Sequence, residues 1–337
     1  MPEVTIVIIN YNHGDTLGQC LSGVYAQTFR DFELVIFDNN STDGSLSQIL
    51  DHPARPRVVR SQQNVGFARA ANLGIHASNA PFIFLLNPDV LLTPTYLGSL
   101  LSAAKSDPSI GSLTGKLLRW EAHCPSSVID STGHILLRNR WALNRGEDEI
   151  DRGQYDEPGE VFGVSGAAAL YRRKMLEDVR VGDEYFSEAF FVYLEDVDLD
   201  WRAQLRGWKA LYVPSAVAHH ERGHRGRPRM RNAFVLRHSL KNRYLMMLRN
   251  DRLSDVLRDL SSILGMEILR FFDYLLTQPR ALRGYLDLLA LLPHVLRERR
   301  EIQRRRTASA SHIRSWMRRY PYRRKLREKF LRRIWTI

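Results

Sequence analysis

Asp89, Asp196 and His220 are the residues on which chemistry would turn. Asp89 follows Leu86-Asn87-Pro88 at the mouth of an apolar run. Pro88 removes a backbone donor and fixes the chain there, and a carboxylate so placed suits a hard divalent cation, which takes oxygen ligands. A turn or helix-capping aspartate fits the same spacing equally well. Glu195-Asp196-Val197-Asp198-Leu199-Asp200 lies among aromatic and apolar residues. In a helix, Asp196 and Asp200 share a face and Asp198 points elsewhere. Carboxylates crowded beside an apolar segment have raised pKa values, which suits a general base. Acids placed to match a helix dipole, with Arg202 and Arg206 as partners, are the plainer explanation.

His219-His220 precedes a Gly- and Arg-rich stretch, Glu221 to Arg231, that includes Arg227 and Arg229. A neutral imidazole there can ligate a metal, and the arginines can close over a diphosphate. A surface histidine and a solvated charge run are the alternatives. Asn64-Val65-Gly66-Phe67-Ala68, with Asn72 beyond it, puts a glycine at a helix start, where backbone donors hold an anion or the glycine only permits a tight turn. The sequence contains no Walker A motif, no GxGxxG after its first strand, no GxSxG and no HExxH.

These residues need elements to hold them. Val4 to Ile9, Phe32 to Phe37 and Pro81 to Leu86 are continuous apolar runs, the pattern of strands buried on both faces. Arg57 to Arg60 is a short strand candidate. Helical composition fills residues 15–28, the stretch up to Leu50, and Phe67 to Ala77. Strands alternating with helices at this spacing predict an α/β layer structure with a mainly parallel sheet. Ligands in such sheets sit at the carboxyl ends of the strands, where Asn10-Tyr11-Asn12, Asp38 to Asp43 and Asn87-Pro88-Asp89 fall. The region from about 120 to 185 is less periodic, and its acidic patch, Glu147 to Asp151, reads as a solvated loop. Ala210 to Val213 is a strand leading to His219-His220.

The 337 residues, 44% hydrophobic and 26% charged, have a globular balance that excludes disordered and low-complexity classes. The net charge of +12 is unevenly placed. Residues 1–240 hold 25 basic and 28 acidic side chains, a net of −3; residues 241–337 hold 24 and 9, a net of +15. Two cysteines, Cys20 and Cys124, are too few for a disulfide scaffold and fit a reduced, cytoplasmic setting. Met1-Pro2-Glu3 runs directly into the first apolar run with no secretory signal visible.

Taken in order, Ile6-Val7-Ile8-Ile9-Asn10-Tyr11-Asn12, Asp38-Asn39-Asn40-Ser41-Thr42-Asp43-Gly44, Asn64 to Ala68 with Asn72, Leu86-Asn87-Pro88-Asp89 and Tyr193-Leu194-Glu195-Asp196-Val197-Asp198-Leu199 resemble the family 2 glycosyltransferases, most closely their rhamnosyltransferase-like branch. The resemblance covers about residues 2–245. It implies a GT-A fold, a nucleoside-diphosphate sugar donor, a Mg²⁺ or Mn²⁺ ion, inversion at the anomeric carbon, and a glycan or polyprenyl-linked acceptor. Carried over by motif, Asn10, Asn12 and Asp38 would line the nucleotide site, and Asn40 and Asp43 would support that turn. Asn64, Gly66 and Asn72 would shape the nucleotide and phosphate wall. Asp89 matches the last acid of the family's DxD motif, with Asn87 standing at the first position. Asp196 matches the catalytic base. His220, or else His219, matches a histidine of the metal and diphosphate site. Gly163, Ser165, Gly166 and Glu195 would flank the sugar or acceptor. A catalytically silent GT-A scaffold and a sugar nucleotidyltransferase are the rival functions.

The implied organisation is a GT-A domain over residues 1–240 and a basic amphipathic helical extension over 241–337. From Leu253 to Leu296 apolar residues recur at helical spacing, as at Ile263, Met266, Ile268 and Leu269, which predicts helices packed on the catalytic domain. Beyond Arg297, Ile313, Trp316, Met317 and Tyr320, then Leu326, Phe330 and Ile334, alternate with arginines. Such helices lie in the headgroup region of an anionic membrane, so the protein is expected to be peripheral at the inner face of the cell membrane. RNA is the weaker explanation of the charge, since no nucleic-acid-binding motif is present. An oligomer is compatible with all of this.

Overall fold

A computed structural model describes residues 1–50, 56–121, 124–221 and 232–318. The chain begins β1 (Val4–Asn10), α1 (Gly14–Tyr25), β2 (Phe32–Asp38), α2 (Ser45–Leu50), β3 (Arg57–Arg60), α3 (Phe67–His76) and β4 (Phe82–Leu86). β3, β2, β1 and β4 are neighbours and wholly parallel. Side chains alternate across the sheet: Ile6, Ile8, Phe84 and Leu86 enter one core, with α1, while Val7, Ile9, Ile83 and Leu85 enter the other, with α3. A strand with both faces covered must be apolar throughout, which is why these runs were legible as strands.

Beyond β4 the sheet becomes mixed. β5 (Val90–Leu92), α4 (Tyr96–Ser106), β6 (Ile110–Glu121), β7 (Cys124–Ser131), β8 (His134–Leu137), β9 (Ala142–Asn144), β10 (Gly159–Val161) and β11 (Ala168–Arg172) follow. β11 lies antiparallel between β4 and β6. After α5 (Arg173–Val179) and α6 (Glu195–Leu205), β12 (Lys209–His220) runs parallel to β6 and antiparallel to β5 and β10. β6 carries a buried lysine, Lys116, which ion-pairs with Asp151 at 2.9 Å and Asp156 at 2.5 Å. Asp148 pairs with Arg119. The acidic patch expected to be a solvated loop is therefore tethered to the sheet at two of its residues.

The C-terminal region is helical: α7 (Ala233–Asn250), α8 (Leu253–Arg258), α9 (Leu260–Thr277), α10 (Gly284–Arg304) and α11 (Ala310–Trp316), closed by β13 (Met317–Arg318). α7 passes through residue 240 without a break and packs on α6 and α10. The expectation for Ile313 and Met317 is corrected. Both are buried against Leu136 and Trp201, with Met317 paired in register to Leu136, so that face meets protein and not headgroups. Tyr320, Leu326, Phe330 and Ile334 lie outside the described residues. The packing expected of 253–296 holds for Ile263 but not for Ile268 and Leu269, which are exposed.

Candidate active site

The first wall of the site is made where β1 and β2 end side by side. Asn10 and Asp38 are paired in register and buried. The Asn10 amide nitrogen donates to Asp38 Oδ1 (3.0 Å), Ser41 Oγ (3.0 Å) and Ser45 Oγ (2.8 Å), which fixes the Asp38 carboxylate. Asn12 and Asn40 take left-handed backbone conformations, with φ of 57° and 68°, which asparagine tolerates better than most residues. Asn12 Oδ1 accepts from the Thr42 N–H at 2.8 Å, tying the two turns together. Asp43 accepts from the Gly14 N–H at 2.7 Å and the Ser45 hydroxyl at 2.6 Å. Burial raises its pKa, but the Ser45 and Gly14 donors outweigh this and hold it below the usual range.

Asn64 Oδ1 accepts from the Gly66 N–H (2.9 Å) and from the Asn39 amide (3.0 Å). Gly66 has φ of 84°, and a Cβ there would lie 2.5 Å from the Phe191 ring, so only glycine fits. Asn72 is buried, and its amide bonds the backbone of Tyr185 and Phe186 at 2.8 to 3.1 Å, so it braces the chain leading to α6.

The second wall is the turn after β4. Antiparallel pairing of β12 with β5 sets His220 opposite Val90, and its Nε2 lies 3.3 Å from Asp89 Oδ1. His220 Nδ1 contacts Asp130 Oδ2 at 2.8 Å. His219 points away, edge-on to the Trp120 ring, so His220 is the histidine that faces Asp89. Burial alone would lower the His220 pKa; the two carboxylates overcome it and raise it to about 10. Burial likewise raises Asp89, and His220 and His13 bring it below the usual range. Asp89 Oδ1 is buried and faces His220 Nε2. A buried carboxylate oxygen beside an imidazole suits a divalent cation once that imidazole has given up its proton. No cluster of three ligand-type side chains exists among the described residues, so such an ion would need substrate oxygens as well, the usual mode for Mg²⁺.

The third wall is the start of α6. Phe191, Tyr193 and Leu194 all have positive φ, of 65°, 72° and 67°. Each such residue costs about 1–3 kcal/mol, so the turn needs external support. Asn242, buried on α7, supplies it: its amide donates to the carbonyls of Phe190, Val192 and Tyr193 at 3.0, 2.8 and 2.7 Å. The turn delivers Asp196, 18% exposed, whose Oδ2 accepts from the Gly166 N–H at 3.0 Å. Gly166 adjoins Ala167, whose carbonyl accepts from the Asn87 N–H at 2.8 Å. One short strand-edge segment thus connects the Asp196 carboxylate to the turn that carries Asp89.

Asp200 shares the Asp196 face, as the helical spacing predicts. His134 stands between them, with Nδ1 2.7 Å from Asp200 Oδ2 and Nε2 3.7 Å from Asp196 Oδ2. Asp200 also accepts from the Val164 N–H, and a Cβ on Gly163 would fall 1.9 Å from its carboxylate. Gly163 and Gly166 therefore act as a cradle for the acids; Ser165 lies between them. Burial, reinforced by Asp196, raises Glu195 well above the carboxylate range. Burial raises Asp200 to about 6 against the pull of His134. Burial lowers His134, and Asp196 and Asp200 more than restore it, giving a net rise. Asp198 points the other way, buried between Arg202 and Arg249, each at 2.9 Å. Arg206 pairs with Asp178 instead of an α6 acid.

Arg227 and Arg229 lie outside the described residues. Asp130, His134 and Asn242 were not found from sequence, since each acts across a long chain separation and carries no local motif. Asn39 stands within the Asp38 to Gly44 motif, but its contact with Asn64 was not foreseen.

A parallel α/β half ending in fixed asparagine and aspartate side chains, joined to a mixed half that presents an acidic helix, is the GT-A arrangement of glycosyltransferases. Residues 5–180 match Glycosyl transferase family 2, and the chain belongs to that family of enzymes, in its rhamnosyltransferase-like branch. Over 244 residues it is 32% identical to N-acetylglucosaminyl-diphospho-decaprenol L-rhamnosyltransferase of Mycobacterium tuberculosis, covering 65% of this chain and 76% of the relative. Among solved structures, residues 1–349 of S. aureus TarS in complex with UDP-GlcNAc share the fold at a TM-score of 0.56 and 16% identity, over 89% of this chain and 88% of that one. GalNAc-T7 with UDP, GalNAc and Mn2+ does so at 0.58 and 16%, over 74% and 48%.

Proposed function

We propose that the protein is an inverting, divalent-cation-dependent transferase. It moves a sugar, rhamnose by preference, from a nucleoside-diphosphate donor to a hydroxyl of a glycan or lipid-linked acceptor in cell-surface polysaccharide synthesis. The observation that carries this reading is the Asp196 carboxylate, accessible, anchored by Gly166 and tied through Ala167 to the Asp89 turn. The relative from M. tuberculosis, named for a lipid-linked acceptor and a rhamnosyl group, supports the substrate class.

Asp38 and Asn10 would orient base or ribose, and Asn64 and Gly66 the phosphates. Asp89 and His220 would hold Mg²⁺ or Mn²⁺, which supplies charge neutralisation for the leaving diphosphate. Asp196 takes the proton of the acceptor hydroxyl as its oxygen bonds to the anomeric carbon. The bond to the diphosphate breaks on the opposite face, so one displacement inverts the configuration, through a sugar of oxocarbenium character. His134, between Asp200 and Asp196, is a positioning residue that orients the Asp196 carboxylate. The cytoplasmic face of the membrane is the place where such a donor and a lipid-linked acceptor meet.

Asp196→Asn should lower transfer by about 10²–10⁴-fold while leaving nucleoside-diphosphate affinity, read by calorimetry with Mn²⁺, unchanged. Full transfer by that variant would overturn the assignment.

A further inference from the structure

α9 is folded inside out. Its buried residues are Ile263, Glu267, Arg270 and Tyr274, one face at i, i+4, i+7 and i+11. Glu267 there pairs with Arg243 and Arg270 and accepts from the Tyr244 hydroxyl. The opposite face carries Leu260, Leu264, Ile268, Phe272, Leu275 and Leu276, all exposed, Leu276 at 82%. An exposed apolar stripe of this extent marks an interaction surface. Leu253 and Leu257 on α8 and Leu286 and Leu289 on α10 are exposed as well.

The fully exposed charges around the stripe are of one sign, with Asp273 half-exposed at its edge. Every exposed charged residue between 252 and 304 is an arginine, among them Arg258 and Arg280 at the two ends of α9. Beside Leu253, a cleft of about 580 Å³ is lined by Arg252, Arg299, Arg300, Ser254 and Gln303. Arg299 and Gln303 also donate to α7 carbonyls, while the guanidinium groups of Arg252 and Arg300 suit phosphate oxygens. α9 has 18 residues and is about 27 Å long, yet no described helix is long and apolar enough to cross a membrane.

We infer that the α8–α10 face docks on an anionic bilayer. α9 lies in the interfacial plane with its leucines and phenylalanines at the acyl boundary, the rimming arginines meet lipid phosphates, and the cleft takes a headgroup. A second copy of the chain is a poorer occupant, because a two-fold interface would set this arginine rim against itself. The proposal refines the lipid-linked acceptor reading by naming the surface that faces the membrane, and it replaces the 313–317 segment, which is buried.

The test is sedimentation of the full chain with vesicles of phosphatidylcholine alone or with about one third phosphatidylglycerol. The wild type should bind the anionic vesicles. Leu264→Ser, Ile268→Ser and Phe272→Ser combined should lower the partition coefficient at least tenfold with an unchanged melting temperature, since these side chains are exposed. Arg252→Gln with Arg300→Gln should abolish most of the preference for phosphatidylglycerol. Nucleoside-diphosphate affinity should be unaffected in both, so a failed transferase assay and a failed docking surface give different patterns. Absence of vesicle binding by the wild type, or undiminished binding by the triple-serine variant, overturns the proposal. So does a wild-type dimer that the triple-serine variant converts to monomer without any change in vesicle binding.

Discussion

α3 and α9 bury opposite kinds of residue. α3 covers the sheet with Ala68, Ala70, Ala71 and Ile75 and turns its polar side outward, apart from Asn72. α9 covers α7 with a glutamate, an arginine and a tyrosine and turns its leucines outward. Both are amphipathic, so periodicity alone makes them look alike. The difference lies in the solvent each helix is built for: α3 separates an apolar core from water, whereas α9 joins a polar core to something apolar. Buried ions follow the same division. In the catalytic half, Asp198 with Arg202 and Arg249 locks α6 to α7; in the appendage, Glu267 with Arg243 and Arg270 locks α9 to α7.

That contrast can be broken at several points. The largest effect is expected from Asp198→Asn, which removes the carboxylate shared by the buried guanidinium groups of Arg202 and Arg249, the latter keeping Glu298, and should cost about 3–5 kcal/mol, read as a global loss in urea unfolding. Wild-type stability in that variant would mean the ion network is not the joint between α6 and α7. Glu267→Gln strands arginines of the appendage only. Hydrogen exchange should accelerate across residues 260–277 while the sheet strands keep their protection; uniform acceleration would show that the two halves unfold as one. The smallest effect is a pH dependence. Asp200 is raised to about 6 when folded, above its unfolded value of about 4, so its contribution to stability is lost as pH rises between those values. Asp200→Asn removes that loss. The melting temperature of the variant minus that of the wild type should therefore increase by a few degrees from pH 4 to pH 6; a flat difference would contradict the burial of this acid.

Much of the sheet was legible because its physics is local. β1, β2 and β4 are buried on both faces, and nothing but a continuous apolar run satisfies that. The acidic face was legible for a similar reason, since 3.6 residues per turn put Asp196 beside Asp200 and send Asp198 elsewhere. Their partners were not. His134 reaches Asp200 across 66 residues, Asp130 reaches His220 across 90, and Asn242 reaches Phe190 across 52. No periodicity registers a contact at that range. The strands after β4 were obscured for another reason: β6 includes two glycines and an inward lysine neutralised by distant aspartates, so its composition does not advertise a strand. Periodicity found the helix of α9 but mixed its two faces, grouping buried Ile263 with exposed Ile268 and Leu269, because a buried ion pair is favourable only once Arg243 and Tyr244 are in place.

The clamp made by Asn242 has a consequence for anyone exchanging parts between relatives. The amide that steadies the backbone before Asp196 belongs to a helix that begins at Ala233 and ends at Asn250. A chimera joined at residue 240, where composition changes, would take Phe190 to Asp196 from one parent and their support from the other. A joint beyond Asn250 keeps both from one parent. Asp196, the proposed base, and the helix that supports its turn should therefore be inherited together, as one heritable unit.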